Sequence, residues 1–223
     1  MNIPRLKNYF SLIPSAVLWA CIVFLSILLA HNAALYFTHG GEYGILPEKR
    51  VAQIDWLWNL CFYIHLPSGV ICLLLPWFSF ARKFNRFTRA FHSKTGAIYT
   101  WITIAVVCPT GMYLALYAKG GLITSAGFIL QGVLLGYFTF RGYQSIKQGN
   151  RHYHIQNMIR SYSVATVVLT FRILHIIFFF MNVPYADNYA ISQWLGLTIN
   201  LLIGETIISI TTQKYPSLKT STL

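Results

Sequence analysis

Hydrophobic residues are grouped in long blocks along this chain, and polar residues occupy the short intervals between them. A helix that crosses a bilayer needs roughly 20 mostly apolar residues. Six blocks meet this requirement, at about 14–37, 55–80, 95–117, 121–142, 157–181 and 189–212. The pattern predicts an all-α, polytopic transmembrane bundle with six spans. We expect a single domain over residues 1–223, with a short polar tail at 213–223.

The composition favours the same fold class. Hydrophobic residues make up 56% of the chain and charged residues 10%, whereas a soluble domain carries about 25% charged residues. The first block follows Arg5 and Lys7, as a signal peptide would, but it is longer than a typical signal core and ends at Tyr36 and Phe37. We therefore expect an uncleaved first span. The four cysteines lie within spans without paired spacing, which predicts reduced packing residues.

Positive charges are distributed unevenly between the two sides of the predicted bundle. Of the 17 Lys and Arg residues, thirteen fall in the terminal segments and alternate loops, three fall in the other loops, and Arg172 lies inside a span. Because basic loops stay in the cytoplasm, this distribution predicts that both termini are cytoplasmic. Four of the five acidic residues fall on the opposite side. The basic residues behind the net charge of +12 therefore set the topology and contact anionic lipids, and they do not predict nucleic-acid binding.

Several polar residues lie inside the predicted spans at similar depths. At about 1.5 Å per helical residue, His65 lies roughly 12 Å, His175 roughly 9 Å and Arg172 roughly 13 Å below the outer ends of their spans. His31 shares this outer layer. A charged side chain at such a depth costs roughly 2.5–3.5 kcal/mol on insertion scales, so Arg172 predicts a buried partner or a polar cavity.

A second polar layer lies toward the cytoplasmic side. His92 begins span three, and His154 begins span five. Glu205 lies roughly 24 Å below the start of the sixth span, which is level with Arg160 and well below Arg172. We therefore predict that Glu205 pairs with Arg160 and that Arg172 has another partner.

Two layers of histidines are typical of membrane proteins that hold b-type haem. Haem iron takes axial ligands such as histidine, and a bis-histidine site needs two imidazoles at similar depth on different helices. His65 with His175, and His92 with His154, are the candidate ligand pairs. Arg172 would contact a haem propionate or a quinone oxygen, where a cation is favourable. Buried hydrogen bonds and helix capping are the alternative roles of the same side chains.

Three stretches resemble a known family. They are FHSKTGAIYTW at 91–101, a Gly-Phe span at 120–150, and HYHIQNMIRSYSVATVVLTFRI at 152–173. This pattern is similar to that of the bacterial predicted membrane proteins called domain of unknown function 2306, over about residues 60–175. The matching positions are His92, Gly96, Tyr99, Gly127, Phe128, His154, Met158, Ile159, Arg160, Tyr162, Thr170 and Arg172, with His65 in span two. The resemblance implies a multi-helix bundle in a bacterial inner membrane, distant kinship with cytochrome b561-like haem proteins, and no established reaction.

These observations lead to two main functional hypotheses. The first is a membrane electron-transfer component that holds haem b or binds quinone. The second is a non-enzymatic accessory or assembly subunit of a larger respiratory complex, in which the polar residues only join helices. A transporter is less favoured, because spans one to five contain no buried carboxylate and the chain has no inverted repeat.

Overall fold

The apolar blocks of the sequence form helices in a computed structural model, which describes residues 13–39, 42–46, 56–79 and 86–214. In chain order the helices are α1 (Ile13–Thr38), α2 (Trp56–Ser79), α3 (Arg86–Ile102), a π-helix (Thr103–Val107), α4 (Cys108–Ala115), α5 (Gly121–Lys147), α6 (Arg151–Ala165), α7 (Val167–Phe180) and α8 (Tyr185–Lys214). We call the end of the bundle that carries Phe37, Trp56 and Tyr185 the outer end.

The prediction of six membrane spans is confirmed. Within the described ranges, six helical stretches are long and apolar enough to cross a membrane. The third comprises α3, the π-helix and α4, and the fifth comprises α6 and α7. Both begin earlier than their apolar blocks because polar first turns are helical too. At α6, for example, the Asn150 side chain caps the helix by accepting a 3.2 Å hydrogen bond from the Tyr153 backbone N–H.

Small residues allow the helices to approach one another closely. A β-carbon at position 204 of α8 would lie 2.6 Å from the Ser163 hydroxyl oxygen of α6, and one at position 142 of α5 would lie 2.7 Å from the Met158 sulfur. Membrane helices associate by this kind of close packing because lipid offers no hydrophobic driving force. The core between them includes Tyr99, Val164 and Val167, each at most 2% exposed.

Buried hydroxyl groups also join the spans. The Tyr99 hydroxyl of α3 lies 2.6 Å from the Ser161 hydroxyl of α6, which lies 2.7 Å from the Thr139 hydroxyl of α5. The Tyr162 hydroxyl donates to the Leu73 carbonyl of α2 at 3.0 Å. These contacts fix the relative depth of four spans.

The third span changes its helical geometry halfway along its length. The π-helical turn Thr103–Val107 is flanked by α-helix on both sides and lies beside α2 and α5. Single π-helical turns within α-helices occur frequently at functional sites. The residues that follow this turn form one wall of the site described below.

Candidate functional site

A cavity of about 260 Å³ lies between spans one to five. Most of its wall is apolar, formed by residues such as Leu66, Val70 and Phe128. Four polar side chains also border it: Asn32 from α1, His65 from α2, Gln131 from α5 and Arg172 from α7. An apolar cavity with a few convergent polar groups is the usual form of a small-molecule site.

Arg172 is the only cationic side chain among the described residues that line this cavity. The phenol groups of Tyr36, Tyr43 and Tyr189 are among its electrostatic neighbours. Within the described ranges its guanidinium makes no hydrogen bond to protein and no ion pair. The Arg172 side chain is exposed and borders the cavity. A guanidinium carries five N–H donors and no acceptor, so an acceptor group in the cavity would satisfy it.

The two amide side chains of the cavity are held by the protein. Asn32 donates to the Tyr43 hydroxyl at 3.0 Å. Gln131 donates to the Val164 carbonyl at 3.2 Å and accepts from Gln193 at 2.9 Å. These bonds orient both amides in the wall, and Arg172 and His65 are the side chains of the described lining that can carry a positive charge.

His65 packs directly against the outer half of the third span. Its Nδ1 lies 3.0 Å from the Thr110 hydroxyl oxygen. A β-carbon at position 111 would lie 2.9 Å from its Cε1, so Gly111 is what allows the imidazole to pack closely against α4. The ring is therefore fixed in one orientation at the edge of the cavity.

Gly69 leaves part of the cavity open. It lies one turn after His65 on α2 and lines the cavity, and a β-carbon there would meet nothing within 4 Å. A glycine within a helix usually costs stability relative to alanine. At this position it provides space that a ligand can occupy.

His175, the predicted partner of His65, lies in a different environment. Its Nδ1 contacts the Asn188 side-chain oxygen at 2.9 Å, and its ring stacks on Phe171 with 5.8 Å between centroids. His65 is the one histidine among the described residues that line the cavity. His175 does not border the cavity that His65 lines, so the structure does not bring these two imidazoles together there.

The inner histidines, His92 and His154, are electrostatic neighbours. His154 donates from Nδ1 to the Gly142 carbonyl at 2.8 Å. In the part of the chain that the structure describes, no three His, Cys, Asp or Glu side chains group as metal ligands. A haem iron needs only two axial ligands, so His92 and His154 remain a candidate pair.

The structure brings Arg160 and Glu205 together, as their depths predict. Arg160 Nε contacts one carboxylate oxygen of Glu205, and Nη2 lies 2.9 Å from the other. This two-point contact joins α6 to α8. The Arg160 side chain is 24% exposed and the Glu205 side chain 51%, so solvent or lipid headgroups screen the pair and limit its contribution to stability.

We expect a modest coupling energy between Arg160 and Glu205. In a double-mutant cycle with R160Q, E205Q and the double variant, the coupling free energy should be about 0.5–1 kcal/mol, as for other exposed pairs with good geometry. Equilibrium unfolding in mixed detergent micelles would measure it. A coupling above about 2 kcal/mol would show that the pair is enclosed by lipid or protein and is not screened.

Sequence reasoning missed Asn32 and Gln131 as cavity residues. The sequence did contain a chemical signal for them, because an amide side chain within an apolar block needs a hydrogen-bond partner inside the bundle. Depth alone could not reveal which face of each helix carries these residues.

Comparison with known proteins identifies a family. A family model described as "Predicted membrane protein (DUF2306)" matches residues 62–208. No curated protein and no solved structure matches the chain.

Proposed function

For this chain, which belongs to the family of predicted membrane proteins of domain of unknown function 2306, we propose a role as a quinone-linked electron-transfer component of a bacterial inner membrane. Both termini would lie in the cytoplasm. The ligand would be a membrane quinone whose ring occupies the cavity between spans one to five. The quinone would supply the redox chemistry, and the protein would supply its binding and orientation.

One observation carries the proposal, namely an arginine without a described protein partner beside an apolar cavity. An isolated guanidinium within a membrane span is costly, and a quinone oxygen is an acceptor that it can bind. Charge-assisted hydrogen bonds of this kind are roughly twice as strong as neutral ones. The apolar wall would hold the ring, and the open space at Gly69 would accommodate its substituents.

Filling the cavity tests the proposal directly. We expect Gly69→Leu to weaken binding of a short-chain quinone analogue about 5- to 100-fold, since inserting side-chain volume where a ligand must fit costs roughly 1–3 kcal/mol. The full chain, purified in detergent, would be titrated with the analogue in an equilibrium binding assay.

Gly96→Leu provides a matched control for this experiment. Gly96 also lies in a helix where an added β-carbon would meet nothing within 4 Å, but it does not line the cavity. We expect this variant to bind the analogue as the unaltered chain does. If the unaltered chain, Gly69→Leu and Gly96→Leu all bind the analogue equally, the cavity is not the quinone site.

A second candidate function is supported by the inner histidines. Donation from His154 Nδ1 to the Gly142 carbonyl leaves Nε2 as the nitrogen available for a metal, which is the usual arrangement of a ligating imidazole. A b-type haem held by His92 and His154 would give sharp bands in the dithionite-reduced absorption spectrum. These bands should disappear in His154→Ala. A featureless spectrum from protein made in a haem-replete host would exclude this candidate and leave the quinone site untouched.

A further inference from the structure

The hydrogen bonds around His65 fix the position of its ring proton. The Thr110 hydroxyl lies 2.6 Å from the Val106 carbonyl, which can only accept. The hydroxyl proton is therefore directed to that carbonyl, and the Thr110 oxygen accepts from His65 Nδ1 at 3.0 Å. Nδ1 is therefore the protonated nitrogen.

Nε2 of His65 is consequently an unprotonated acceptor. It makes no hydrogen bond to any described residue, and it is not among the described buried polar atoms that are enclosed without a partner. It therefore remains accessible, and the ring that carries it borders the cavity. A lone pair in an apolar cavity is stabilised by a ligand that donates a hydrogen bond to it.

The two available polar groups of the cavity thus have opposite requirements. Arg172 can only donate, whereas His65 Nε2 accepts. A ligand that satisfies both needs an acceptor oxygen and an O–H donor. The two oxygens of a quinone only accept, but each hydroxyl of a hydroquinone can do both.

We infer that the cavity selects the reduced, hydroxyl-bearing form of its ligand, a hydroquinone, over the quinone with the same ring. This inference rests on the proposed function and specifies which redox form of the ligand the site prefers. His65 is the specificity-determining residue, and Thr110 is a positioning residue that acts by fixing the imidazole tautomer.

The test compares three ligands that share one ring: the hydroquinone, the quinone and the hydroquinone dimethyl ether. Binding to the full chain in detergent would be measured anaerobically so that each ligand keeps its redox state. We expect the hydroquinone to bind at least about tenfold more tightly than either other ligand. Because the dimethyl ether keeps its oxygens but cannot donate, it separates the effect of the O–H donor from that of ring size.

Two variants locate the cause of the preference. His65→Leu removes the acceptor nitrogen. Thr110→Val keeps the shape of the wall but removes the oxygen that holds the proton on Nδ1, so the ring can adopt either tautomer. Both should reduce the hydroquinone preference to less than about threefold. If His65→Leu does not fold, Thr110→Val and the ligand series on the unaltered chain still decide the question.

The outcomes separate this inference from the function on which it rests. If the quinone binds as tightly as the hydroquinone or more tightly, the inferred preference for the reduced form is wrong, and the proposed quinone site is still supported. If none of the three ligands binds, both fail. If the preference survives in Thr110→Val, the assignment of the tautomer is wrong.

Discussion

Replacing Arg172 with methionine should weaken binding of the quinone analogue about 10- to 100-fold and should not destabilise the bundle. The loss of affinity follows from the loss of one charge-assisted hydrogen bond, which contributes about 1.5–3 kcal/mol. The stability should stay equal or rise, because a guanidinium without a described partner inside a span costs roughly 2.5–3.5 kcal/mol on insertion scales. Titration with the analogue and equilibrium unfolding, on the same preparation, would measure both effects.

Three further variants identify what the guanidinium contributes. Arg172→Lys keeps the charge but loses the planar pair of donors, so we expect it to bind the analogue with intermediate affinity. Glu48 and Asp55 lie outside the described residues, on the side that the charge pattern assigns to the outside. If Arg172→Met destabilises the bundle, and Glu48→Gln or Asp55→Asn does so to the same extent, then Arg172 serves an ion pair and the ligand proposal fails.

Replacing Asn200 with leucine should cost about 2 kcal/mol of stability, the largest structural effect that we expect. Asn200 is 5% exposed and joins α8 to the junction of α6 and α7. It donates to the Ser163 carbonyl and to the Thr166 hydroxyl, both at 3.1 Å, and accepts from the Thr170 hydroxyl at 2.8 Å. Three such bonds in a membrane bundle contribute on the order of 0.6 kcal/mol each.

Thr198→Val is the matched control for Asn200→Leu. Thr198 also lies on α8, but it is exposed, and its hydroxyl donates to the Trp194 carbonyl of its own helix at 2.9 Å. We expect Thr198→Val to change the free energy of unfolding by less than about 0.5 kcal/mol, as exposed substitutions usually do. A loss for Asn200→Leu no greater than this control would mean that the junction does not depend on its amide.

The sequence predicts how deep a residue lies within its span better than it predicts which neighbouring helix its side chain faces. Hydrophobic blocks locate each span, and a rise of about 1.5 Å per residue places Arg160 level with Glu205, which the structure brings into contact. The same arithmetic places His65 level with His175, yet His175 faces Asn188 and His65 faces Thr110. Depth is set by position along a helix, but contact also requires the correct rotation about its axis.

The rotation of each helix about its axis depends on irregular turns and on contacts with other helices, and neither can be recognised in a single sequence. Thr103–Val107 has the same apolar composition as the α-helix around it, so the π-helical turn could not be predicted. Gln131 and Asn200 stand out as amides within apolar blocks, but their partners lie on other spans. Close approach at Gly111 and Gly204 likewise depends on the neighbouring helix, and not on the local sequence.

The π-helical turn also determines how insertions and deletions would act on this chain. A π-helical turn holds one residue more than an α-helical turn, and one residue corresponds to about 100° of rotation. Because the π-helical turn accommodates this extra residue over nearly the same rotation as an α-helical turn, a single-codon deletion within 103–107 would restore a regular α-helix and keep Thr110 and Gly111 facing His65. The same deletion elsewhere in the span would rotate the residues after it by about 100°, so the cavity wall tolerates the loss of a residue at the π-helical turn and not beside it.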